Sequence, residues 1–174
     1  MSLLVLAYPD LNVINLALVQ DHRKVYDNLY YDVVGPHFSF VFATDDFSED
    51  VFTAEVLKQV EDAWKIKFVC RCATISKDGF EETFHCFLVP DKGHSQIILL
   101  HDKLYSGLFK KNHRLDIDYI PHIAIGSSSD KLQTKMMVDQ WNARDLTIDG
   151  VISKLSIIKY ENNVVTLLKE IVLK

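Results

Sequence analysis

Apolar and polar positions change period several times along the chain, and each change marks a predicted element. Residues 3 to 8, LLVLAY, form a short apolar run closed by Pro9, the pattern of a strand. Asp10 is an N-cap candidate for a helix over residues 11 to 27. Residues 37 to 42, HFSFVF, alternate and predict a second strand. DDFSED is a loop before a helix near 49 to 64, whose apolar stripe is Phe52, Val56, Val60 and Trp64. Strands over 67 to 76 and 82 to 89 flank KDG, a hairpin-turn signal, and Pro90 stops the second. A long amphipathic helix over about 93 to 111 places Ile97, Leu104 and Leu108 inside. A strand follows at 122 to 126. SSSD then offers N-caps for a helix near 130 to 144 carrying Leu132, Met136 and Trp141. ENN joins two closing strands, about 150 to 160 and 163 to 173.

The order is roughly β α β α β β α β α β β, and the halves echo each other. Direct strand-to-strand turns in both halves predict antiparallel sheets with helices packed outside. That is an α+β architecture rather than a doubly wound parallel sheet. No Pro/Gly/Ser-rich linker divides the chain, so residues 1–174 are read as one domain.

Bulk properties narrow the function. The 174 residues are 48% hydrophobic and 25% charged, ordinary for a globular protein. No apolar run approaches the ~20 residues needed to span a bilayer. The opening MSLLVLAYPDL lacks the basic lead and cleavage site of a signal peptide, so a cytoplasmic location and no membrane partner are expected. A monomer is the default. The formal charge of −5 disfavours a long nucleic-acid track yet permits a pocket for one nucleotide. The basic cluster FKKNHR, residues 109 to 114, reads as a solvated helix end. Cys70, Cys72 and Cys86 are too few and too oddly spaced for a disulfide framework or a zinc site.

One phrase occurs twice. GPHFSFVF spans residues 35 to 42 and IPHIAIG spans 120 to 126, each a Pro-His opening an alternating strand. With four prolines and seven histidines, roughly 0.2 Pro-His pairs are expected by chance. Alternation puts His37 and Ser39 on one strand face, opposite Phe38 and Phe40. It likewise puts His122 and Ala124 on one face, opposite Ile123 and Ile125. The bulky face packs on helices and leaves the histidine face to a groove. A single histidine at a strand start is more often structural; a matched pair points to shared acid–base work, because imidazole titrates near pH 6.5.

The paired motifs His37-Phe38-Ser39-Phe40 and His122-Ile123-Ala124-Ile125 resemble those of the 2H phosphoesterase superfamily, which includes 2′-5′ RNA ligase-like proteins and cyclic nucleotide phosphodiesterases. LLVLAYPDL looks like the family's opening strand, TFHCFLVP like the strand before its middle helix, and residues 150 to 173 like its closing hairpin. The resemblance implies a bilobal, pseudo-symmetric fold, with one motif strand from each lobe lining a central cleft. It also implies an enzyme that uses no metal or cofactor and acts on 2′,3′-cyclic phosphates, 2′-5′ linkages or related phosphodiesters. The expected ligand is a small nucleotide or an RNA end, as in RNA processing. His37, Ser39 and His122 are the expected catalytic groups. Ala124 stands where the family usually has Thr or Ser, so one phosphate donor is missing. Ser127 is a substitute candidate, although an N-cap role also suits it.

His85 and Tyr8 are further binding candidates, His85 from the strand TFHCFLV and Tyr8 from the end of the first strand. Structural placement is the plainer reading of each. Two other readings stand beside the enzyme. One is a binding module using the same cleft without turnover. The other is a metal hydrolase built on His37, His122 and His85, which no carboxylate at suggestive spacing supports.

Overall fold

The computed structural model describes residues 1–79 and 81–174. Among the described residues the chain forms ten strands and four α-helices, an α+β fold whose paired strands all run antiparallel.

The first strand, β1 (Ser2–Ala7), is followed by a two-residue strand, β2 (Asp10–Leu11). Asp10 and Leu11 pair with Val151 and Gly150, so they are not free to begin a helix. Helix α1 (Val13–Tyr26) instead starts after Asn12, whose side chain accepts from Asn15 N at 2.8 Å. Strand β3 (Phe38–Thr44) and helix α2 (Glu49–Val60, capped by Ser48) come next. The helix ends before Trp64, which is 72% exposed and outside the core. There the backbone turns to pair with the C-terminus: Lys65 N donates to Lys174 O, and Lys174 N donates to Ala63 O, both at 2.9 Å.

The single strand expected over 67 to 76 is two strands in different sheets, β4 (Ile66–Cys70) and β5 (Ala73–Lys77). β6 (Phe84–Leu88) leads to α3 (His94–Leu104), opened by Gly93 at φ 84. A Cβ on Gly93 would stand 2.5 Å from Lys67 O, so glycine is required twice over. The expected helix to residue 111 breaks into a 3-10 turn, Leu108–Asn112, because buried Glu55 accepts from Leu108 N at 2.9 Å. Phe109 is fully buried there and Leu108 is exposed.

Strand β7 (Ile123–Ser128) precedes α4 (Lys131–Asn142). The cap of α4 is Asp130, and Ser127 belongs to the strand. Its buried face is Thr134, Met137, Val138 and Trp141; Leu132 and Met136 face solvent. The chain closes with β8 (Ile148–Ile152), β9 (Lys154–Glu161) and β10 (Val164–Val172). Asn162 and Asn163, at φ 51 and 60, make the tight turn between the last two.

Three sheets result: β10-β9-β1-β3, β2-β8-β4 and β5-β6-β7. The topology repeats. β1, α1, β3, α2, β4, β5 in the first half match β6, α3, β7, α4, β8, β9 in the second. The halves also exchange strands. β9 of the second half pairs with β1, while β5 of the first half pairs with β6. β4 and β8, equivalent in the two halves, pair with each other at the middle. α1 packs on β7 and α3 on β3, so each motif strand is backed by the other half's helix. Gly126 permits the first contact: a Cβ there would lie 2.9 Å from Tyr26 Cβ and 3.1 Å from Met137 Sδ. No helix among the described residues is long and apolar enough to cross a membrane.

Candidate active site

Both Pro-His motifs sit at the start of an edge strand, β3 in one sheet and β7 in another. The predicted alternation holds. Phe38, Phe40, Ile123 and Ile125 are at most 1% exposed, while His37, Ser39, His122 and Ala124 are half-buried. Leu6 lies opposite Ser39 on the neighbouring strand, and Phe87 opposite Ala124.

The two histidines have matched local settings. His37 Nδ1 stands 2.8 Å from Gly35 O, and His122 Nδ1 stands 2.6 Å from Ile120 O. In each case the partner is the carbonyl two residues back. That contact fixes the tautomer: Nδ1–H donates, and Nε2 carries the lone pair. Each strand also bulges at the same place. Ser39 and Val41 pair with the adjacent residues Leu6 and Val5, so Phe40 is extra; Ala124 and Gly126 pair with adjacent Phe87 and Cys86, so Ile125 is extra. Both extra residues are third after their histidine. The second bulge resets the alternation, so Ser127 falls opposite His85 in the ladder. Ser127 also lines a surface pocket of about 310 Å³ with Tyr26, Thr83 and Gln133, and neither motif histidine lines it.

Aromatic rings back both imidazoles. Phe87 stacks on His122 with centroids 3.5 Å apart and planes 14° apart, and His85 lies parallel to Phe87 at 5.3 Å and 11°. His85 Nε2 is 3.2 Å from Asp78 Oδ2. Tyr8 meets His37 edge-on at 6.2 Å. Burial pushes the pKa of His122 down to about 4 against the opposing pull of its contact with Ile120 O; positive charge on His37 and His85 lowers it further. Burial also lowers His37, with the Gly35 contact again opposing and the Arg23 charge adding to the fall. Both rings are therefore neutral at pH 7, each with an unprotonated Nε2.

Three positioning residues were not foreseen from the sequence. Arg23, 2% exposed, donates from Nε and Nη2 to Asp27 Oδ2 at 2.9 and 2.8 Å. Its Nη2 also reaches Val34 O at 2.7 Å and Tyr30 O at 3.2 Å, which ties down the loop ahead of His37. On the other side of β3, Tyr119 OH donates to Ser39 O at 2.8 Å and Tyr105 OH accepts from Phe42 N at 2.9 Å. These phenols satisfy groups that an edge strand leaves unpaired. A signal for two of the three exists in the sequence. HRKVY (22 to 26) and HDKLY (101 to 105) occupy equivalent helices, 13 residues after Pro9 and 11 after Pro90, and so mark Arg23 and Tyr105 as members of a repeated unit.

A family model described as the 2′-5′ RNA ligase superfamily matches residues 9–164. The chain belongs to the 2′-5′ RNA ligase superfamily. That match spans both histidine motifs, and membership supports phosphodiesterase or RNA ligase-like chemistry in general. Solved structures agree on the fold. Escherichia coli LigT in apo form aligns at TM-score 0.55 and 13% identity, covering 99% of this chain and 96% of that one. Usb1 of Kluyveromyces marxianus aligns at TM-score 0.54 and 7% identity, covering 96% and 97%. At such identities the superfamily fold alone is shared. Comparison with curated proteins finds no match.

Proposed function

We propose that the chain is a metal-independent phosphodiesterase acting on a 2′,3′-cyclic phosphate or a 2′-5′ linkage of a small nucleotide or RNA end, with His37 and His122 as the acid–base pair. The observation that carries this reading is the duplicated setting of the two rings. Each presents Nε2, each is locked through Nδ1 to the carbonyl two residues back, and each precedes a bulge at the third following residue.

For a cyclic phosphate the step balances without a metal. One neutral Nε2 takes a proton from water as the water oxygen bonds to phosphorus. The P–O bond to one ribose oxygen breaks, and the second imidazole, protonated beforehand, gives that oxygen its proton. An anionic phosphate held between the rings favours the imidazolium form that the empty site disfavours. Ser39 shares the His37 face and is the proposed donor to a non-bridging oxygen. Tyr8 and His85 are proposed to border the same cleft through their contacts with His37 and Phe87. Ser127 enters through its register with His85.

Incubation with a 2′,3′-cyclic nucleotide and excess chelator tests the reading. Turnover that falls at least 1,000-fold in both His37→Ala and His122→Ala supports it, the size expected when a general acid or base is removed. Tight binding without turnover in the unmodified protein identifies a binding module that uses the same cleft. Activity lost on chelation alone overturns the proposal.

A further inference from the structure

A second constellation stands where α3 ends. His101 and Asp102 belong to the helix, and His113 follows the 3-10 turn Leu108–Asn112. One donor atom from each of the three lies within 4.8 Å of the other two. His101 Nδ1 and Asp102 Oδ1 are 3.0 Å apart. Two ligands about 2.0–2.2 Å from a tetrahedral ion stand roughly 3.3 Å apart, so this pair needs little movement to share one. His101 is 1% exposed and its Nε2 has no partner among the described residues, so the ring's polar commitment lies on the Asp102 side.

Both imidazoles are held by their neighbours. Tyr119 stacks on His101 at 3.5 Å and 12°, and Tyr105 stacks on His113 at 4.7 Å and 15°. Such support reduces the ordering cost of ligation. The nearby cations are engaged elsewhere, Arg114 by Asp116 and Lys103 by Asp62.

We propose that His101, Asp102 and His113 form a site for a borderline divalent cation of the zinc class, with water completing the coordination. Two imidazoles and one carboxylate suit zinc, whereas magnesium and calcium demand oxygen. The ion fastens the end of α3 to the segment that carries Tyr119. Through Tyr119, which bonds Ser39 O, it stiffens the edge of β3. It takes no part in proton transfer, and turnover is expected to survive its removal, so the site stands or falls independently of the proposed phosphodiesterase.

The test uses the full chain titrated with Zn²⁺ against a chromophoric chelator, and separately with Co²⁺. One equivalent of zinc is expected to bind, and cobalt is expected to give the intense visible absorption of a tetrahedral nitrogen–oxygen site. Asp102→Asn and His113→Gln, both at positions outside the core, should each weaken binding at least tenfold with an unchanged circular dichroism spectrum. His37→Ala should bind as the unmodified protein does. Zinc at a hundredfold excess over Kd should raise Tm in the unmodified protein and not in His113→Gln. Absent stoichiometric binding, a pale octahedral cobalt spectrum, affinity that survives either substitution, or affinity lost in His37→Ala each overturns the proposal.

Discussion

His122 and His37 are lowered by the same cause, loss of water around an imidazole that must sometimes carry charge. An enzyme that needs one ring protonated and one neutral works best between its two pKa values, and both lie below the ordinary 6.5. The log of kcat/KM for a 2′,3′-cyclic nucleotide should therefore peak below pH 6.5 and fall on the alkaline side. A maximum near pH 8 would contradict the pairing. Ala124 makes the second residue-level prediction. It lies opposite Phe87, on the half-buried face that bears His122, the face proposed to meet the phosphate. Ala124→Ser should raise kcat severalfold; a restored phosphate donor can contribute about 2–4 kcal/mol to a transition state, of which an unrefined geometry realises part. An unchanged rate would place Ala124 away from the phosphate.

The loop between α1 and β3 depends on one guanidinium. Arg23 is buried, paired with Asp27, and bonded to two loop carbonyls. Arg23→Leu leaves a buried carboxylate without its cation, which costs about 3–5 kcal/mol. The urea midpoint should fall accordingly, and Arg23→Lys should recover little because one ammonium cannot reproduce the fork. A loss under 1 kcal/mol would show that the loop holds without it. Elements also show where sequence reasoning succeeds. The two-residue period of HFSF and HIAI was readable because bulky and small side chains alternate strictly there. The break at Arg71-Cys72 was not, since β4 and β5 are both β-prone and only their partners, β8 and β6, separate them. The sequence reading of α4 takes its stripe from Leu132 and Met136, an apolar i, i+4 pair, whereas tertiary packing buries the other face, with Met137, Val138 and Trp141. Neither bulge is visible in the sequence, because ladder register depends on the neighbouring strand. The paired histidine motifs and the family were legible; the rings' carbonyl partners, Phe87 under His122, and the tyrosine supports of β3 emerged only from packing.

At the scale of the molecule, His22 couples the core to pH. It lies between Tyr26 and Trp141, 7% exposed, and burial with the Arg144 charge lowers its pKa to about 4. In the unfolded chain the same group titrates near 6.5, so the unfolded state binds the proton first as pH falls. Stability is full above pH 6.5 and is lost progressively towards pH 4, on the order of 3 kcal/mol from this residue. Urea unfolding at pH 7 and pH 4.5 should show the loss, and His22→Leu should shrink the difference by about 1 kcal/mol or more. A pH dependence unaltered by that substitution would assign the acid sensitivity elsewhere.

The exchange of β5 and β9 has a further consequence. Neither half of the polypeptide owns a complete outer sheet, since the first lends β5 to β6 and the second lends β9, with β10 beyond it, to β1. Two copies of a single half-chain related by a dyad would satisfy every one of those pairings reciprocally. Such an assembly would hold two identical imidazoles, with nothing to make one a donor and the other an acceptor of protons. Within one continuous chain the two halves are free to differ. Ser39 beside one ring and Ala124 beside the other are such a difference, which two identical copies could not carry.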